Sequence, residues 1–235
     1  MIRKILVLFL VLNLTACAEL QQVINQLPQG GIGIGNDEIA SGLRQALDFG
    51  IDKQVAKLTQ TDGFYKNDLV KILLPEELQK VDKGLRDIGL SKLADEGLKA
   101  LNRAAEDAVK EATPIFIDAV KGITFADAKN ILIGNDDAAT QYLNGKTQTA
   151  LYDKFNPVIK NSFSKVGADE IWSNLINKYN SIPFTANVNP DLTDYVTGEA
   201  LKGVYTMIAV EEKEIRTNLS SRTTDLLRKV FALQD

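Results

Sequence analysis

From Asn36 onward the sequence obeys one rule: apolar residues return every three or four positions. Ile39, Leu43, Leu47, Ile51, Val55 and Leu58 form one such stripe, the period of an α-helix that buries a single face. Asn36 or Asp37 can cap its start, with Glu38 well placed for the helix dipole. After the break "TQTDGFYKND", Pro75 suits a first helical turn ahead of Leu78, Val81, Leu85 and Ile88, and Gly89 is the stop. Residues 69–74, "LVKILL", are the one stretch with strand character, and they are few. A chain patterned this way has to bury helix against helix.

The third helix, from Ser91, carries Ala94, Ala100, Ala104, Ala105, Ala108 and Ala112. Small side chains let a neighbour approach closely, which predicts a central position. Pro114 ends or kinks it, and "PIFIDAVKG" follows as a short apolar helix. Thr124 with Asp127 resembles a capping box ahead of Ala128, Ile131 and Leu132. Asp136 or Asp137 is expected to cap a long helix through Leu143, Leu151 and Phe155 that Pro157 interrupts. Trp172, Leu175, Ile176 and Tyr179 mark another. After the loop "NSIPFTANVNPDL", Thr197 is expected to cap a helix bearing Leu201, Val204, Tyr205, Ile208 and Ile215, and Thr223 or Thr224 starts the last one. The expectation is an all-α fold: one irregular multi-helix bundle of about nine helices over residues 37–235, preceded by a flexible tether. Some 200 residues with 45% apolar content can bury such a core without disulfides or metal.

Residues 1–16 follow a different pattern. Arg3 and Lys4 precede the apolar run Ile5–Leu12, and small residues lead to Cys17, as in a secretory signal. The run is shorter than the ~20 residues a membrane-spanning helix needs. "LTAC", residues 14–17, resembles the lipobox of bacterial lipoproteins, which implies removal of 1–16 and lipidation of Cys17. Cys17 is the only cysteine, so no internal disulfide competes for it. Ala18, where an Asp would favour the inner membrane in the sorting rule of enteric bacteria, implies the outer membrane, with the domain facing the periplasm. Residues 17–36 hold Pro28, Gly30, Gly31, Gly33 and Gly35 and read as a lipidated tether reaching on the order of 25 Å.

Histidine is absent from the sequence. Ser-His-Asp and Cys-His catalysis both need imidazole, and zinc sites usually need His or Cys. No metal, cofactor or catalytic set is therefore expected, and any chemistry falls to carboxylate, Lys, Tyr, Ser or Thr groups. From Cys17 onward the chain carries 25 basic and 31 acidic side chains, a net charge of −6, a poor match to nucleic acid.

Two charged groups stand out. On the helix through Ile208 and Ile215, the apolar stripe crosses Glu211 and Glu212. One of them is expected to point inward, where an unpaired carboxylate is costly; Arg222 is the first candidate partner, then Arg216 and Arg103. Arg103 and Glu106, next to Asn102, are three residues apart and are expected to form a solvated pair worth little. Arg103, Glu106, Glu211, Glu212 and Arg222 make up the candidate ion-pair or ligand site. Tyr152, Trp172, Tyr179 and Phe184 are expected to pack in the core or loops rather than stack on a ligand.

The motifs "GLRQAL", "LPEELQKV", "LNRAAEDA", "AATQYL", "KYNSIPF" and "DYVTGEALKGVYTMIAVEEKEIRTNLSSRTTDLLRKVF" resemble a bacterial lipoprotein family, domain of unknown function 4197, over residues 38–233. The resemblance implies an all-α envelope protein and supplies no activity, cofactor or catalytic residue. The expected function is a periplasm-facing outer-membrane lipoprotein, a non-catalytic binding or scaffolding module for envelope proteins or a periplasmic ligand. The alternatives are a carboxylate-dependent hydrolase acting on envelope glycan and a carrier of an apolar ligand.

Overall fold

The computed structural model describes residues 35–87, 89, 91–181, 189 and 191–234. The expected signal segment, Cys17 and the tether through residue 34 lie outside the described residues, as do Phe184 and the side chain of Tyr179. Among the described residues the chain forms nine α-helices and no strand. They are α1 (Asn36–Leu58), α2 (Glu76–Asp87), α3 (Ser91–Val109), α4 (Ala112–Lys121), α5 (Phe125–Leu132), α6 (Ala138–Val166), α7 (Ala168–Asn180), α8 (Thr193–Thr217) and α9 (Asp225–Phe231). A 3₁₀ turn, Leu219–Ser221, joins the last two.

The long helix α6 packs against α3, α4, α5, α7 and α8, so the core is built around it. The alanine-rich helix is central, as its small residues predict: Ala94, Ala104, Ala105 and Ala108 are all buried. Phe116 of α4 meets the Tyr205 ring edge-on at 6.0 Å, and the Tyr205 hydroxyl shares a 2.8 Å hydrogen bond with Thr147 of α6. That hydrogen bond satisfies the polar end of an otherwise apolar burial. Two glycines are set by close approach. A Cβ on Gly203 would lie 2.7 Å from the Phe64 ring, and one on Gly97 would lie 2.8 Å from the Trp172 indole.

Several local expectations hold. Thr124 and Asp127 form the reciprocal capping box of α5, and Thr224 caps α9 through the Leu227 amide. Others are corrected. Pro157 does not interrupt α6, which runs through it for 29 residues. The amide it lacks would have bonded to Asp153, and both positions are exposed to water while Phe155, Ile159 and Phe163 stay buried on the opposite face. Thr197 is not a cap: α8 starts four residues earlier, and the Thr197 hydroxyl donates back to the Thr193 carbonyl at 2.7 Å. "LVKILL" alternates like a strand, with Val70, Ile72 and Leu74 buried and Leu69 and Leu73 exposed, yet it pairs with no strand. Its partner is a side chain. Asn102 of α3, itself fully buried, accepts from the Ile72 amide at 2.8 Å and donates to the Ile72 carbonyl at 2.9 Å.

Candidate functional site

Helix α8 presents Glu211 and Glu212 on adjacent flanks, and both are buried, where the sequence led us to expect one. The reason is the position of α8: it has neighbours on both sides. Glu211 faces α1, over Gly50, which leaves room for its side chain. Its carboxylate accepts from Gln54 and from Lys53, each at 2.7 Å. Lys53 keeps its stem and charge largely in water, so this pair is anchored at the rim.

Glu212 faces the start of α6. Its two oxygens accept from the amides of Ala139 and Thr140 and from the Thr140 hydroxyl, all at 2.8 Å. These amides belong to the first turn of α6, whose donors have no partner within the helix. Asp137, the expected cap, makes no side-chain cap bond; the cap comes from another helix, with Glu212 72 residues beyond Thr140. Its negative charge also suits the positive end of the α6 dipole.

The cation that meets Glu212 is Arg216, one turn on, and not Arg222. Arg216 donates from Nε and Nη2 to one oxygen of Glu212, at 3.0 and 2.8 Å. Its remaining bonds go to the Ile131 and Leu132 carbonyls at the end of α5, at 2.8 and 3.2 Å. One ion pair on α8 thus closes the C-terminus of α5 and the N-terminus of α6. Arg222, 1% exposed, acts in the same way on its own helix, donating to the Ile215 and Arg216 carbonyls and closing the end of α8. Its guanidinium lies 5.9 Å from the Phe231 ring centre.

Arg103 and Glu106 are brought together, but not as a solvated pair. Glu106 is buried and accepts from the Phe64 amide at 3.1 Å, besides its bond to Arg103. The other arm of Arg103 holds Asp62. Asp62 adopts φ 70°, a left-handed conformation that Asp tolerates better than most residues. The triad therefore pins the loop after α1 to α3. Asp62, Lys53, Gln54 and Thr140 were missed by sequence reasoning; only Asp62, directly ahead of Gly63, carried a turn signal.

The hydrogen bond from Lys66, opposed by burial and reinforced by Arg103, holds the Asp62 carboxyl below its ordinary pKa of 3.8. A lowered carboxyl pKa adds stability that is fully present above 3.8 and is lost as pH falls through the lower folded value. In Lys66→Met the Asp62 midpoint, followed by carbon NMR of its carboxyl, should move up toward 3.8. An unmoved midpoint would remove Lys66 as the main cause.

A cavity of about 20 Å³ lies between α1 and α8, walled by Leu43, Leu47, Ile208 and Phe231 with Glu212 and Arg216 at its edge. It has room for about one water molecule, far below the ~300 Å³ of a small-ligand pocket. Tyr152 donates to Asp194 at the surface, and Trp172 is buried over Gly97, where it serves packing.

Among the described residues, no group of His, Cys, Asp and Glu could hold a metal ion, and no helix is long and apolar enough to cross a membrane. A family model described as a protein of unknown function (DUF4197) matches residues 33–232. No curated protein and no solved structure matches the chain.

Proposed function

The chain belongs to the DUF4197 family, and from this starting point we propose that it is a lipid-anchored, periplasm-facing envelope protein of the outer membrane that binds or scaffolds rather than catalyses. The observation that carries the reading is Cys17, the only cysteine, placed directly after a basic and apolar leader in "LTAC". Two or three acyl chains on one cysteine anchor a protein firmly, where one holds only marginally.

What supports a non-catalytic role is the use made of the candidate site's charges. Glu106, Glu211 and Glu212 spend their oxygens on backbone amides and on Lys53, Gln54, Thr140, Arg103 and Arg216. Arg222 spends donors on the end of its own helix. A general acid or base must instead reach a substrate proton within hydrogen-bond distance.

The test is expression of the full chain in bacteria fed a palmitate analogue. The wild type should take up label and float with outer-membrane vesicles on a density gradient. Cys17→Ser should lose the label and leave the membrane fraction. Equal labelling and fractionation of the two proteins would overturn the reading.

A further inference from the structure

We draw no further inference here: the strongest candidate, the exposed apolar patch of Ile133 and Leu233 where Gln234 after α9 reaches the Leu132 carbonyl at the end of α5, carries none because nothing in the structure shows what covers it.

Discussion

Glu212→Gln should lower the melting temperature by about 10 °C, the consequence of a loss on the order of 3–5 kcal/mol in a domain of this size. Gln keeps the size of the side chain and can still accept one amide hydrogen. It cannot balance Arg216, whose side chain is 5% exposed and would be left as a buried cation. Only one of the two α6 amides, from Ala139 and Thr140, would retain an acceptor. Removing the arginine as well, in Glu212→Gln with Arg216→Met, should cost much less than the sum of the single losses, because the uncompensated charge goes with it. Glu211→Gln provides the contrast. Its cation, Lys53, is 66% exposed, so water replaces the lost partner and the cost should stay near ~1 kcal/mol. Thermal melts followed by circular dichroism decide the matter. If Glu212→Gln melts with the wild type, the ion pair does not hold α5, α6 and α8 together.

Asn102→Leu should cost about 2–4 kcal/mol, although it replaces a buried polar side chain with an apolar one of similar volume. The substitution strands the amide and the carbonyl of Ile72, which have the Asn102 side chain as partner. Ile72 is 1% exposed, so water cannot readily take over. A buried backbone group without a partner costs about 1–3 kcal/mol. The affected segment, 69–74, should also lose amide-exchange protection at Ile72 before the rest of the domain does. A neutral melt together with unchanged exchange at Ile72 would show that the side chain does not act as the missing strand.

Elements whose cause is local were legible in the sequence. The stripe of α1, the capping box at Thr124 and Asp127 and the cap at Thr224 depend on residues within a few positions of one another. The central place of α3 was readable from its alanines, because side-chain size limits how near a neighbour can come. The misreadings share a different cause. Pro157 looked like a break because the local rule weighs one missing amide, whereas burial of Phe155, Ile159 and Phe163 on a continuous face outweighs it. "LVKILL" looked like a strand because its alternation is real; what no local pattern specifies is that a side chain on α3 supplies the hydrogen bonds.

The candidate site divides along the same line. Periodicity placed one of Glu211 and Glu212 on the inner part of α8, and it limited the pairing of Arg103 and Glu106 to one helical turn. It could not tell that both flanks of α8 are covered, that Arg216 rather than Arg222 takes the carboxylate, or that Glu106 is buried under the Phe64 amide. The sequence by itself determined that the domain is helical, where most helices begin and end, and that one carboxylate of the Glu211–Glu212 pair would need a partner. Which partners they found was decided by the tertiary structure. Helix ends leave amides and carbonyls that the helix cannot satisfy, and only the packed arrangement of α5, α6 and α8 determines which distant charge comes within reach of them.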